Sequence, residues 1–204
     1  MDFSILAVIA VASYLIGSIP NGLLLGRCFW GIDLRQSGSK NIGATNAFRV
    51  IGPWPALGVF LTDAAKGVAG VLLGQYLEGS PQGMLVGGIA AIAGHNWSVF
   101  LKFKGGRGVA TGLGVIAVLV PKVTVIVFAV WGLIVYFSRY VSLASIIAAA
   151  LVPLLMWLSN EKVEFYYFGL LAAAFVILRH KPNIKRLLAG NELKIKAGQG
   201  KKEK

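Results

Sequence analysis

The sequence is poor in the residues that most often announce chemistry. It has one cysteine, Cys28, two histidines and eight Asp+Glu among 204 residues. A single thiol excludes an intrachain disulfide framework and a cysteine-based zinc cluster. Two histidines with no companion carboxylate or thiolate cluster argue against a transition-metal site, so no metal and no cofactor are expected. Charged residues are scarce as well, at 14% of the chain, where a typical globular domain has about 25%. Together with a mean hydropathy of +0.73 and 56% hydrophobic residues, that scarcity excludes an ordinary soluble domain and a disordered basic tail. The shortage of acid leaves a net charge of +12, yet a soluble nucleic-acid binder would not carry this hydropathy. What remains is an all-α integral membrane protein with its positive charge gathered on a limited surface.

A membrane-spanning helix needs roughly 20 mostly apolar residues. Seven runs qualify or come close: Phe3–Leu25, Val50–Leu77, Gln82–Leu101, Val109–Val120, Lys122–Phe137, Val141–Leu158 and Phe165–Leu178. The fourth and fifth are short, but as one helix they would be about 44 Å long, too long for a ~30 Å hydrocarbon core. Pro121 beside Lys122 supplies a turn between them. With seven spans, 17 of the 20 basic residues fall on one side: Arg27 to Arg49, Lys102 to Arg107, Arg139, and Arg179 onward. That asymmetry predicts a cytoplasmic face there, with the N-terminus outside and the C-terminus inside. Asp2 and the lack of a basic leading region argue against a cleaved signal peptide. The expected organisation is one domain over residues 1–192, followed by a polar, Lys-rich, disordered tail over 193–204.

The loops on the basic side are dense in Gly, Ser, Asn and Thr. The first runs from Asp33 to Arg49. Gly38 and Gly43 permit a left-handed backbone or close approach to a ligand. Ser37, Ser39, Asn41, Thr45 and Asn46 add short donors and acceptors, bracketed by Arg35 and Arg49. This pattern suits a helix N-terminus near Thr45–Ala47 aimed at an anion, and equally a well-capped turn with snorkelling arginines. The second loop, around Lys104-Gly105-Gly106-Arg107-Gly108, precedes another helix and reads as a phosphate cradle. It matches neither the Walker loop nor GxGxxG, because Thr111 stands where the last glycine would be. In the third segment Pro182 opens a short interfacial helix, with Ile184, Leu187 and Leu188 toward lipid and Lys185 and Arg186 toward water. His180 and Asn183, three apart, are close enough to share a ligand. Within the second span Asp63 and Lys66 share a face; they pair or meet another polar group, as a lock between helices or as functional residues. Ser142 opens the sixth span just after Arg139.

Three anion-binding segments at one interface, beside apolar grooves, suit a substrate that is anionic at one end, or a pair of substrates of which one is a lipid. No Ser-His-Asp or Cys-His arrangement is legible. Acyl chemistry would therefore need a donor already activated, with the protein orienting reactants and stabilising charge.

The same residues resemble a known family. Gly17-Ser-Ile-Pro20, the run Arg35 to Arg49, Asp63-Ala-Ala-Lys-Gly67, Gly94-His95 with Lys104 to Thr111, and His180-x-x-Asn183 are similar to the bacterial acyl-phosphate:glycerol-3-phosphate acyltransferases, the PlsY family. The resemblance extends through Glu192. It implies transfer of a fatty acyl group from acyl-phosphate to the 1-hydroxyl of glycerol 3-phosphate, giving lysophosphatidic acid and phosphate, in the bacterial inner membrane with the active site facing the cytoplasm. It implies Ser39, Lys104, His180 and Asn183 as catalytic residues. The substrate-binding set would be Arg35, Ser37, Asn41, Thr45, Asn46, Arg49, Gly105, Gly106, Arg107, Gly108 and Ser142, with Glu192 important for integrity beside Asp63 and Lys66. Besides the two substrates only membrane lipid is implied as a partner, with no nucleic acid and no obligate protein. Lys40 stands where the family commonly has Gly, and Arg107 where it commonly has Lys. The His-x4-Asp motif of other glycerolipid acyltransferases is missing: five residues after His95 comes Phe100, and after His180, Lys185. A transporter or channel for an anionic solute would use similar loops, but would call for internal repeats and a midplane site.

Overall fold

The computed structural model describes residues 2–195 and is helical throughout, with no strand among the described residues. The helices are α1 (Phe3–Ser18), α2 (Asn21–Trp30), α3 (Ala44–Val50), α4 (Pro53–Leu77), α5 (Pro81–Asn96), α6 (Val109–Leu119), α7 (Pro121–Ser138), α8 (Val141–Leu158), α9 (Val163–Arg179) and α10 (Lys181–Leu188). Their starts follow from the sequence. Pro53, Pro81, Pro121 and Pro182 stand in the first turn, where a missing N–H costs nothing. Asp2 and Ser80 cap α1 and α5 through the amides of Ser4 and Gly83.

The apolar runs all become helices, but the count of seven spans is not met by length. Five segments are long and apolar enough to cross a membrane: Phe3–Trp30, Pro53–Leu77, Pro81–Leu101, Pro121–Ser138 and Val141–Leu158. A sixth is the pair Val163–Arg179 and Lys181–Leu188, bent by 57°. The expected fourth span is only the 11-residue α6, about 16 Å, roughly half a hydrocarbon core. The reason is tertiary. The backbone of Thr111 lies directly against Gly67 with no room for a Cβ, and Gly67 is about 21 Å along α4 at 1.5 Å per residue. The chain has thus already entered the bundle before α6 begins. Pro121 makes the expected break, with Val120 ending α6 and capping α7.

The first span is likewise two helices, broken at Ile19–Pro20 because proline cannot donate to the preceding turn. The carbonyls freed at the break need donors, since no water reaches them in lipid. Lys66 Nζ donates to Gly17 O at 3.3 Å and Ile19 O at 2.6 Å, and Ser98 Oγ donates to Ser18 O at 2.5 Å. Lys66 also pairs with Asp63 at 2.8 Å, both nearly fully buried. Lys66 thus ties α4 to the broken helix, while its partner Asp63 lines a cavity.

Packing divides the helices in two. α4 contacts α1, α5 and α6, while α8 packs between α7 and α9. Small residues carry the first group: Gly70 faces Gly87, Gly74 faces Gly83, and Gly17 faces Ala91, each backbone against backbone. Without a hydrophobic force between helices in lipid, such close approach supplies the dispersion energy that holds them. The groups join through α6 with α7 and α5 with α9. Between α4 and α7 the bridge is aromatic: Phe60 stacks on Phe128 at 6.1 Å and Phe128 on Trp131 at 5.8 Å. The tail expected from residue 193 is tied down at its start. Leu193 O accepts from Arg49 at 2.7 Å, and Ile195 N donates to Arg139 O at 2.8 Å. The rest of that tail, 196–204, lies outside the described residues.

Candidate active site

A cavity of about 660 Å³ lies between the two helix groups. One end is polar, with Arg49, Arg107, Arg186, His180, Asn183 and Glu192 on its wall; the other is lined by apolar side chains of α6 to α9. Ser39, Asn41, Thr45, Asn46, Gly108 and Ser142 also face the polar end.

The first loop is built around Asn46, 1% exposed. Its amide donates to Leu34 O, Ser37 O and Asn41 O at 2.8–3.0 Å, and its Oδ1 accepts from Ser39 N at 2.8 Å. Asn46 thus spends its hydrogen-bonding capacity on folding the loop and holds Ser39 at the cavity edge. Gly38 takes φ +60 as expected, whereas Gly43 does not, at −80. Lys40 adopts φ +58, a left-handed turn made with a side chain in place.

The two candidate arginines of this loop separate. Arg35 is exposed and bound to Asp33 at 2.7 Å, away from the cavity. That contact, foremost the guanidinium hydrogen bond, holds the Asp33 carboxyl well below its ordinary pKa although burial opposes it. Arg49 is 9% exposed, faces the cavity, and has an Nε with no partner. Ser37 and Lys104 also stand off the cavity wall, Lys104 exposed.

The glycine loop is less of a cradle than its composition suggests. The Gly105 amide donates to Asn96 O at 3.1 Å and the Gly106 amide to His95 O at 3.0 Å. Gly106 O accepts from Arg179 Nη2 at 2.8 Å, and the His95 imidazole lies against its Cα. Both glycines thus form a strut fixed to α5 and α9 with their amides occupied, and neither lines the cavity. The strut aims Arg107, and Gly108 at φ +77 turns the chain into α6, whose first residues Val109 and Ala110 do face the cavity. Burial pushes the Arg107 pKa down, and Arg186, Arg49 and Arg179 add to that against the pull of Glu192. Positive charge is in excess there, with Glu192 as the one carboxylate among these groups, and a phosphate would balance it.

On the opposite wall Glu192 is a hub. It accepts from Ser142 Oγ at 2.8 Å, Asn183 Nδ2 at 2.6 Å and Arg186 Nε at 2.7 Å. Burial alone would raise its pKa, but these donors hold it below the ordinary carboxylate value. His180 is 2% exposed, with Nδ1 at 2.8 Å from Val176 O. A carbonyl only accepts, so Nδ1 carries the proton and the neutral ring offers Nε2 as acceptor. Two residues escaped the sequence reading. Arg186, expected to face water, lines the cavity and pairs with Glu192. Arg179 grips the glycine strut with its guanidinium 5.9 Å from the Trp97 ring. Spacing offered one signal, since Arg186 follows Asn183 by three on α10.

Comparison with known proteins identifies the family and the fold. The glycerol-3-phosphate acyltransferase family model matches residues 7–190. The glycerol-3-phosphate acyltransferase 2 of Moorella thermoacetica is 50% identical, over 91% of this chain and 95% of the relative. A glycerol-3-phosphate acyltransferase of Desulforudis audaxviator is 48% identical, over 93% and 96%. The crystal structure of PlsY (YgiH), an integral membrane glycerol 3-phosphate acyltransferase, in its glycerol 3-phosphate form superposes with a TM-score of 0.88. Identity there is 37%, covering 94% of this chain and 96% of that one. Its lysophosphatidic acid form gives 0.86 at 36% identity, over 93% and 94%. The chain belongs to the glycerol-3-phosphate acyltransferase family and is an integral membrane acyltransferase.

Proposed function

We propose that this acyltransferase takes its fatty acyl group from acyl-phosphate and transfers it to the 1-hydroxyl of glycerol 3-phosphate. The products are lysophosphatidic acid and inorganic phosphate, the first step of phospholipid synthesis. The observation that carries the reading is the cavity itself, arginine-rich at one end and apolar at the other. Two phosphate-bearing reactants need two cationic sites, and Arg49, Arg107 and Arg186 supply them at the same end as the candidate base. The fatty chain then occupies the apolar end. Holding both reactants with the donor carbonyl ~3–3.5 Å from the hydroxyl removes most of the entropic barrier.

In the reaction the glycerol hydroxyl oxygen bonds to the acyl carbon, the acyl carbon–phosphate oxygen bond breaks, and phosphate leaves with the electron pair. The hydroxyl proton passes to His180 Nε2 or to a phosphate oxygen of a substrate. Asn183 and Ser142 are held by Glu192 as positioning groups, and Ser39 stands at the cavity edge as a further donor. Acyl-phosphate is already activated, so the step as written needs no metal and no cofactor.

For topology we propose seven passes in the bacterial inner membrane, with the arginine end facing the cytoplasm and the N-terminus outside. The distribution of basic residues supports this orientation. Both ends of the α6–α7 hairpin support it too: Gly108 faces the cavity, and Arg139 O bonds to Ile195.

The deciding assay uses purified protein, acyl-phosphate and glycerol 3-phosphate, with lysophosphatidic acid and phosphate measured. Equimolar release is expected. No product with acyl-phosphate, but product with acyl-CoA, would overturn the donor. His180→Ala and His180→Gln at saturating substrates separate the two proton acceptors; near-full turnover in both assigns the proton to phosphate.

A further inference from the structure

Resting on the reading of the apolar end as the acyl-chain site, we infer that Val152, Gly169 and Met156 set the length of chain the enzyme accepts. The wall of the cavity can be followed helix by helix away from the arginines. On α8 it runs Ser142, Ser145, Ala148, Ala149 and Val152; on α9 it runs from Val176 through Ala173 and Ala172 to Gly169 and Phe168. α6 contributes down to Ile116 and α7 down to Val127.

One turn beyond each of these limits the character changes. Met156, Phe165, Leu119 and Val123 are at most 6% exposed and belong to one packed core, and none of them faces the cavity. The cavity is therefore closed at that end. Ser142 to Val152 is ten residues of a single helix, about 15 Å at 1.5 Å per residue. Between Val176 and Val152 the two helices line the cavity with Ser145, Ala148 and Ala149 of α8 and Ala172, Ala173 and Gly169 of α9, and the missing side-chain volume is the channel. Val152 is the first branched side chain that α8 sets on this wall beyond Ser142.

Met156 closes the floor from behind. It is fully buried, and a Cβ built on Gly169 would strike its sulfur. A thioether on three rotatable bonds yields a little, and buried Phe165, Leu119 and Val123 belong to the same packed core. The side wall is thinner. Leu57 and Phe128 line the cavity although 45% and 44% exposed, so between α4 and α7 the wall is one side chain thick. A chain that left the protein there would never reach the floor.

The test is a series of decanoyl-, lauroyl-, palmitoyl- and stearoyl-phosphate at saturating glycerol 3-phosphate, read as ratios of kcat/KM within each enzyme. Such ratios do not depend on the fraction of protein that folds. Val152→Phe and Ala149→Leu should each lower the palmitoyl-to-decanoyl ratio by about tenfold or more, the scale of a methylene that no longer fits. Met156→Ala removes the floor and should raise the stearoyl-to-palmitoyl ratio. Unchanged ratios in Val152→Phe and Ala149→Leu would overturn the inference and mean that the chain leaves past Phe128. A wild-type protein that turns over no acyl-phosphate of any length would instead refute the function on which the inference rests.

Discussion

Arg35 and Arg49 are the sharpest test of the site, because the sequence offers them as equals and the structure does not. Arg49 is buried at the cavity wall, with Nη2 on Leu193 O at 2.7 Å and Nε unpartnered. If it holds a substrate phosphate, Arg49→Ala removes a charge-assisted hydrogen bond worth ~1.5–3 kcal/mol. At ~1.4 kcal/mol per factor of ten, kcat/KM should fall about 10- to 150-fold. Releasing the Leu193 carbonyl should cost a further ~1 kcal/mol of stability. Arg35 is exposed, and Asp33 keeps Arg27 at 2.6 Å without it. An exposed pair contributes at most ~1 kcal/mol, so Arg35→Ala should leave kcat/KM within about twofold. Steady-state kinetics with acyl-phosphate and glycerol 3-phosphate, on variants with matched thermal unfolding in detergent, measures both. A large loss in Arg35→Ala with little in Arg49→Ala would refute the assignment.

Three further outcomes follow from named contacts. Glu192→Gln sets an amide donor against one of three donors, so it should destabilise by ~1–3 kcal/mol and raise the inactivation rate on heating. Because the Glu192 pKa is held below its ordinary value, its contribution is full above the usual carboxylate range and lost as pH falls through the lowered pKa. The wild type should therefore lose stability on acidification over that window more steeply than Glu192→Gln does. Lys40→Gly relieves a left-handed backbone costing ~1–2 kcal/mol, partly offset by chain entropy, and should raise the thermal midpoint by about 1–3 °C. Arg179→Gln frees Gly106 O and slackens the strut that aims Arg107. It should raise KM for glycerol 3-phosphate, with partial recovery in Arg179→Lys; a loss of folded protein at unchanged KM would mean that Arg179 only holds the bundle.

Membrane residence, the positions of the apolar runs and the asymmetry of the basic residues were legible because each depends on local composition. The turn at Pro121 was legible in kind, since proline acts on its own turn; the break at Pro20 was not, and residues 3–25 read as one span. The reason for the fourth segment's shortness was not legible either. α6 is short because Thr111 lies against Gly67, and nothing within residues 109–120 reports how deep the chain already is when the helix starts.

Within the site, residue types were legible and roles were not. Gly105 and Gly106 have the composition of a phosphate cradle, but their amides belong to His95 and Asn96. Asn46 has the composition of a ligand, but its amide is spent on three loop carbonyls. Choosing between Arg35 and Arg49 needed a contact spanning 144 residues, from Arg49 to Leu193, and joining Ser142 to Glu192 needed one spanning 50. The sequence by itself determined an apolar, helical chain with anion-binding chemistry on one face, since hydropathy and charge are properties of the residues in order. Only the tertiary structure decided which cations turn inward, which amides are already occupied, and how deep the apolar cavity runs, because each of these depends on what another helix brings alongside.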